Sequence, residues 1–261
     1  MKNKSLLGLK RGSEKLPLTH EIGPNFPSGF TCIGSSKCKC TVHQNKEGKR
    51  HLKTYDETQF HCYSALAELQ YTNVYRARWA NYRLMLNALK KNDGSAEKLL
   101  IDSFEFKRSR NIKYWRLHES GDVIVRFKND QAYLKALNNV AKYYLDQDLI
   151  IYGYTKAAPI FEDFKLSSNL RFTYSLGGKF DHMQDIFEKK ARVIYYTSEA
   201  GNDPIDHNDY HAYSDFKGTF CHLVHGSNQT PEARKAIKYR RENNQFTGYN
   251  KKTKQLQEVS K

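Results

Sequence analysis

From residue 112 onward, short β-branched and aromatic runs alternate with longer helical patterns, and no other feature of the chain restricts its fold as strongly. Ile112 to Leu117, Leu149 to Tyr154, Leu170 to Ser175 and Val193 to Thr197 read as strands. Asp130 to Tyr144, with Asp130 as its cap, then Pro159 to Phe164 and Lys179 to Lys189, read as the intervening helices. Strands separated in this way are joined by crossovers and lie parallel. The expected class is α/β: a partial or complete TIM-like barrel of βα units, or an open doubly wound sheet.

The flanks are read from the same signals. Leu66, Leu69, Val74, Trp79, Tyr82, Leu86 and Leu89 recur at helical spacing without Pro or Gly, which predicts one long helix from near His61 to Leu89. Asn92-Asp93-Gly94-Ser95 supplies a stop and a new cap, and a second helix is expected from Ala96 to about Lys107. The polar stretch from Lys46 to Thr58 reads as a surface loop. Beyond Thr197, Ser198 to Asp215 reads as a polar loop, Phe216 to Val224 as one more strand, and Pro231 to Arg241 as a helix with Pro231 in its first position. The expected organisation is a basic lead-in over 1–30 containing one short strand, a single α/β domain over 31–241, and a polar tail over 242–261. The domain holds a cysteine loop (32–62), βα units (112–200) and a polar C-terminal segment (201–241).

The charge of +15, from 43 Lys and Arg against 28 Asp and Glu, favours polyanionic partners, nucleic acid before an anionic membrane. No apolar run approaches the ~20 residues that span a bilayer, and the first ten residues lack the apolar stretch of a signal peptide. A cytoplasmic protein with no membrane partner is expected. In a reducing compartment the five cysteines are ligands, reactive thiols or core residues before they are disulfides.

Four of those cysteines, Cys32, Cys38, Cys40 and Cys62, are clustered, and clustered thiolates suit zinc or iron–sulfur. Gly34-Ser35-Ser36 forms a loop able to wrap a metal, with His43, His51 and His61 as alternates. The spacing matches no standard zinc finger or ribbon, and a loop of free thiols is the plainer reading.

Polar groups also follow each expected strand: His118-Glu119-Ser120-Gly121-Asp122, Thr155-Lys156, Ser175 and Thr197-Ser198-Glu199. Ligands bind at the carboxyl ends of parallel strands, so these groups are expected to converge. Arg116 and His118 are expected to share a face with Tyr114, opposite Trp115 and Leu117. Arg116 and His118 suit a carboxylate or phosphate, Asp122 a ribose hydroxyl or amino group, and Lys156 an anion or a proton. Singly, each is as easily a cap, a salt bridge or a core histidine.

Cys32-Ile33-Gly34-Ser35-Ser36-Lys37-Cys38, then Cys62-Tyr63-Ser64-Ala65 leading into Val74-Tyr75-Arg76-Ala77-Arg78, resemble the opening of a phage-encoded family named after a numbered gene product, product eighty-eight. Similar points recur at Trp115-Arg116-Leu117-His118-Glu119-Ser120-Gly121-Asp122, at Tyr154-Thr155-Lys156 and at Leu170-Arg171-Phe172-Thr173-Tyr174-Ser175, covering most of residues 25 to 200. Ile33 stands where that family usually has Pro, and an insertion from about Cys40 to His61 leaves Cys40 and Cys62 as alternative third ligands. A broader group of phage proteins with this layout resembles the radical S-adenosylmethionine enzymes. That resemblance implies a partial TIM-type barrel and a [4Fe–4S] cluster on three thiolates, Cys32, Cys38 and Cys62, whose open iron takes S-adenosylmethionine. It also implies that Arg116, Ser120, Gly121 and Ser175 bind cofactor, with His118, Asp122 and Lys156 at the chemistry.

Two further constellations are visible. Asp206, His207, Asp209, His211, Asp215, Cys221, His222 and His225 contain metal-ligand types, but a polar loop with one buried thiol is the better reading. Arg76, Arg78, Arg83, Lys90 and Lys91 interleave with Tyr75, Trp79 and Tyr82, and Lys107, Arg108, Arg110, Lys235, Lys238, Arg240 and Arg241 add to the basic surface. Cations among aromatics suit phosphate contacts with base stacking, although core aromatics beneath a solvated face are commoner.

The leading expectation is therefore an iron–sulfur, radical S-adenosylmethionine-like phage enzyme acting on nucleic acid or nucleotides. The alternatives are a zinc-stabilised nucleic-acid-binding protein without catalysis, and a metal-free hydrolase using His118 and Asp122.

Overall fold

The computed structural model describes residues 6–248 other than 12, 14, 109, 110, 129, 227 and 228. It is a mixed α/β protein built on one seven-stranded sheet. In chain order the sheet strands are β1 (Lys10–Arg11), β2 (His20–Ile22), β5 (Tyr114–Arg116), β6 (Ile150–Thr155), β7 (Leu170–Ser175), β8 (Lys189–Ile194) and β9 (Gly218–Leu223). Their spatial order is the same as their chain order. β1 pairs antiparallel at the edge, and every later pairing is parallel. Without a reversal of winding there is no topological switch point, so a ligand site has to be sought across the strand ends.

Strand alternation divides the side chains between two faces. Trp115, Ile151, Phe172 and Tyr174 point into the main core, against α2 (Thr72–Lys91), α3 (Ser95–Lys107) and α4 (Ala132–Tyr143). There Trp115 stacks on Phe104 with ring centroids 4.4 Å apart. Gly153 faces this side because a β-carbon would sit 3.2 Å from the Leu117 side chain and 3.3 Å from Phe172. The other face carries Tyr114, Tyr152, Tyr154, Ala191 and Phe220, and is covered by the short α5 (Tyr210–Tyr213) with Ala212, Tyr213 and Phe216.

The expected long helix is two helices, α1 (Tyr63–Gln70) and α2, broken at Tyr71 with φ −113° and ψ 111°. The break has a tertiary cause. In one straight helix, Glu68 and Arg78 would be separated by about 15 Å of rise and would sit on different faces. The bend brings Arg78 onto Glu68 at 2.8 Å and onto the Ser64 carbonyl at 2.6 Å, all buried.

Three other expectations are corrected. The stretch from Lys46 to Thr58 is not all loop: Arg50–Thr54 is strand β4, paired as a hairpin with β3 (Cys40–Gln44), and Val42 and Leu52 pack on Ala65 of α1. The helix expected over 179–189 is a short 3-10 segment, Asp181–Ile186, and β8 starts at Lys189 rather than Val193. Pairing with β9 from Lys189 opposite Gly218 overrides the helical propensity of Glu188-Lys189-Lys190. The basic lead-in, expected to hold one short strand, contributes two strands of the sheet, Lys10–Arg11 and the buried His20–Ile22. Among the described residues no helix is long and apolar enough to cross a membrane.

Candidate functional site at the strand ends

The cysteine loop is docked onto the carboxyl ends of β6 and β7. Ser35 bridges antiparallel to Gly178, the Lys37 N–H donates to the Gly177 carbonyl at 3.2 Å, and the Lys179 N–H donates to the Gly34 carbonyl at 2.8 Å. Gly34 lies flat against the backbone of Lys156: a β-carbon there would stand 1.8 Å from the Lys156 carbonyl oxygen. The β5 end closes on the same loop from the other side. Gly121, at φ +85°, has no room for a β-carbon beside Thr31 Oγ1 (2.6 Å), and the Asp122 N–H donates to that oxygen at 3.2 Å. Ser120 Oγ donates to the Phe26 carbonyl and contacts Ser28 Oγ, each at 2.8 Å.

This docking brings Cys32, Cys38 and Cys62 into one electrostatic neighbourhood. Burial, then Asp122 and the other two thiols, raises the Cys32 pKa well above the ordinary value. Burial and Cys38 raise Cys62 to about 11, opposed by the backbone N–H groups of Ala65 and Ser64 at the start of α1 and by Arg78. Cys40 adjoins them: it is fully buried with Val42 and Ala65, its sulfur accepts the Cys62 N–H at 3.3 Å, and burial together with Cys62 and Cys38 raises its pKa. Among the described residues no three His, Cys, Asp or Glu side chains stand close enough to hold a metal ion as they are. Cys32, Cys38 and Cys62 are soft donors contributed by two segments of the chain, the kind that suits zinc or iron–sulfur.

Lys156 sits beside these thiols. Its backbone N–H donates to Asp122 Oδ2 at 2.8 Å, and its ammonium donates to the carbonyls of Ser175 and Leu176, the latter at 2.6 Å. Burial lowers its pKa, against the attraction of Cys38, Asp181, Asp122 and Cys32. Asp122 also accepts from Thr155 Oγ1 (2.8 Å) and the Val123 N–H (2.7 Å), so its carboxylate ties β5 to β6. Burial outweighs those three donors and lifts its pKa to about 6.

A cavity of about 500 Å³ opens next to the cysteines and is lined by Cys38, Cys62, Arg116, His118, Lys156 and Ser175, with Lys10, Lys15, Tyr63, Tyr154, Asp206 and His222 around them. Candidates from three strands and both cysteine segments thus share one space, whereas Cys32, Cys40, Ser120, Gly121 and Asp122 do not line it and Glu199, after β8, lines a different cavity. Its floor is a buried polar network. Arg116 Nε lies 3.0 Å from Asp209 Oδ2, Lys15 pairs with Asp209, and Tyr154 Oη is 3.0 Å from Asp209 Oδ1. His222 donates from Nδ1 to the Asp206 carbonyl (3.0 Å), leaving Nε2 at 3.2 Å from Tyr154 Oη. Burial lowers His222 to about 4, so the ring is neutral and Asp209 and His222 compete for one phenolic proton.

His118 departs from the expected alternation. The strand ends at Arg116, and His118 has φ +50°, which turns its ring to Phe26 (5.3 Å) and hydrogen-bonds Nε2 to Tyr133 Oη at 2.8 Å. Burial lowers its pKa to about 3, and its Nδ1 has no hydrogen-bond partner among the described residues.

Strand and motif reasoning missed Lys15 as a cavity group and set aside Asp206 and His222, which line the cavity, and Asp209, which is buried beneath it. Asp209 lies in the segment read as a polar loop, yet it is wholly buried because that loop folds over the sheet face. The dense Asp206-His207-Asn208-Asp209 run was the available signal. On β9 the expected opposition holds: His222 lines the cavity while Cys221 packs with Ile194 and Ala200. Two residues of the expected basic surface are inside instead: Arg78 is held by Glu68, and Arg240 donates to the carbonyls of Phe246 and Val224. Trp79 packs against Phe30 (4.9 Å) and Tyr82 (5.9 Å). Arg110 and the Lys107 side chain lie outside the described residues.

No curated protein and no solved structure matches this chain. A family model described as gene product 88 matches residues 3–244, and the chain belongs to that family.

Proposed function

We propose that this protein is an iron–sulfur enzyme of radical S-adenosylmethionine-like type, on a partial βα barrel, acting on nucleic acid or nucleotides. The observation that carries the reading is the neighbourhood of Cys32, Cys38 and Cys62 beside Lys156, at the carboxyl ends of parallel strands, with Cys38 and Cys62 on the rim of a cavity. The winding of β2, β5, β6, β7, β8 and β9, each beside the sheet strand before it, is the order of strands in a βα barrel.

The ligands would be Cys32, Cys38 and Cys62, and Cys40 would hold the loop to α1. A bound cluster supplies an electron and an open iron for S-adenosylmethionine. The chain supplies the rest. Lys156 places a positive charge beside Cys32 and Cys38. The N–H groups of Ser64 and Ala65 at the start of α1 favour the Cys62 thiolate. Gly121 and Ser120 hold the β5 end against the loop, Asp122 positions Lys156 and Thr155, and Ser175 presents its carbonyl to the ammonium. Arg116 and Lys15, balanced by Asp209, present cationic edges for a carboxylate or phosphate. Neutral His118, with Nδ1 unpartnered among the described residues, is a group able to take or give a proton.

The test is iron, zinc and labile-sulfide analysis with a visible spectrum on anaerobically purified or reconstituted protein. Iron with sulfide, lost in Cys32→Ala, supports the reading. Bound zinc without iron overturns it in favour of a zinc-stabilised nucleic-acid-binding protein. Failure to take up either metal, with a hydrolytic activity lost in His118→Ala, favours a metal-free hydrolase.

A further inference from the structure

We infer that the β3–β4 hairpin is a DNA-binding ribbon that lies in the major groove of a B-form duplex and holds it at the mouth of the cavity. The inference rests on the reading above that the substrate is nucleic acid, and it supplies the surface and the form of nucleic acid.

The register divides the hairpin into two faces. Val42 and Leu52 face α1, and Arg50 on that side is already used, donating to the Leu69 carbonyl and to Thr72 Oγ1. The opposite face carries the cross-strand pairs Thr41–Lys53 and His43–His51, the latter with stacked rings 5.8 Å apart. Each of these four side chains can hydrogen-bond, and none is acidic. Exposed Lys46 and Lys49 stand at the tip. From Lys39 to Thr54 the chain has five Lys and Arg residues and a single acidic residue, Glu47.

A ribbon protected against edge pairing needs only a charge or two along its edge. Here the exposed charge is mainly positive, with Lys46 and Lys49 against Glu47 at the tip and Lys53 on the outer face, the pattern that phosphate contacts require. Each strand has five residues, about 17 Å of ribbon, and the roughly 12 Å major groove of B-DNA admits a two-stranded ribbon. The deep, narrow major groove of A-form RNA does not. The hairpin is also joined directly to the cavity: Cys38 precedes it, Phe60, His61 and Cys62 follow it, and all four line the wall. A duplex seated on the ribbon is therefore tethered beside the strand-end groups.

The experiment is fluorescence anisotropy of the full chain with short labelled duplexes and single strands across a salt series. The hairpin variant Lys46→Ala/Lys49→Ala/Lys53→Ala is compared with a control of equal charge loss, Lys91→Ala/Lys135→Ala/Lys142→Ala, and all six side chains are exposed. The wild type is expected to prefer DNA duplex over RNA duplex. The hairpin variant is expected to bind DNA at least tenfold more weakly, with a log–log salt slope smaller by about 2.7, some 0.9 for each phosphate no longer neutralised. Equal weakening in both variants, an unchanged slope in the hairpin variant, preference for single strands or RNA, or no binding by the wild type would each overturn the inference. Iron and sulfide measured on the same preparations separate the two readings. A cluster-free protein whose DNA binding still depends on the hairpin lysines sinks the enzyme alone, and a cluster-loaded protein indifferent to them sinks the ribbon alone.

Discussion

Arg116 and Asp209 face each other across the floor of the cavity, Nε to Oδ2 at 3.0 Å, with both side chains withdrawn from water. They form an ion pair whose angle falls short of a hydrogen bond. Burial opposes the charge on each, yet the partner prevails: Asp209 holds the Arg116 pKa well up, and Arg116 with Lys15 holds the Asp209 carboxyl well below the ordinary range.

Asp209→Asn leaves Arg116 buried without its partner. A loss of about 3–5 kcal/mol is expected, the usual consequence of removing one member of a buried pair. Because folding depresses the Asp209 pKa, its contribution is complete above the ordinary value of 3.8 and declines as pH falls below it. Urea unfolding should show the wild-type advantage constant from neutral pH down to that point and shrinking only in stronger acid. An advantage that disappears by mildly acid pH would contradict the pairing.

Asp122 should behave in the opposite sense. Folding raises its pKa from 3.8 to about 6, so its contribution is complete below 3.8 and is lost as pH rises through 6. About 3 kcal/mol of the wild-type stability relative to Asp122→Asn should vanish across that window. A difference that stays flat with pH would show that the carboxyl is not held in its acid form.

The four clustered cysteines should separate into two behaviours. Cys32→Ala, Cys38→Ala and Cys62→Ala are each expected to abolish iron and labile sulfide after reconstitution. Cys40→Ala, which trims a filled apolar pocket, should retain iron and lower stability by about 1–2 kcal/mol. Metal analysis beside thermal melts checks this, and retention of a full cluster by Cys62→Ala would remove it from the ligand set.

Gly34→Ala places a methyl group where only 1.8 Å separates it from the Lys156 carbonyl oxygen, which is backbone and cannot swing away. The loop must leave the β6 end, so metal loading is expected to drop severalfold while the remaining fold persists. Near-ultraviolet circular dichroism and iron content would report it. Normal loading in this variant would mean that the docked loop is not the metal-binding form.

Much of this architecture is legible in the chain itself. The alternation after residue 112 marks α/β units, because buried parallel strands are short apolar runs and their crossovers are longer amphipathic ones. Of the polar groups that follow the strands, His118, Glu119, Lys156 and Ser175 line one cavity, while Glu199 after β8 lines another. Local patterns are less informative where long-range contacts decide. Tyr71 interrupts a perfect helical stripe because Arg78 is drawn to Glu68 and Ser64. Lys189 becomes a strand residue because its ammonium reaches the Ala212 carbonyl at 3.0 Å beneath α5.

By itself, then, the sequence determined the α/β class, the clustered thiols and the groups at the strand ends, all of which follow from spacing along one chain. Only the tertiary structure decided that Cys40 is buried in a small core against Cys62, and that Asp209 leaves an apparent loop to neutralise Arg116. Such pairings bring together residues far apart in sequence. Their energies depend on burial and distance, which no periodicity encodes.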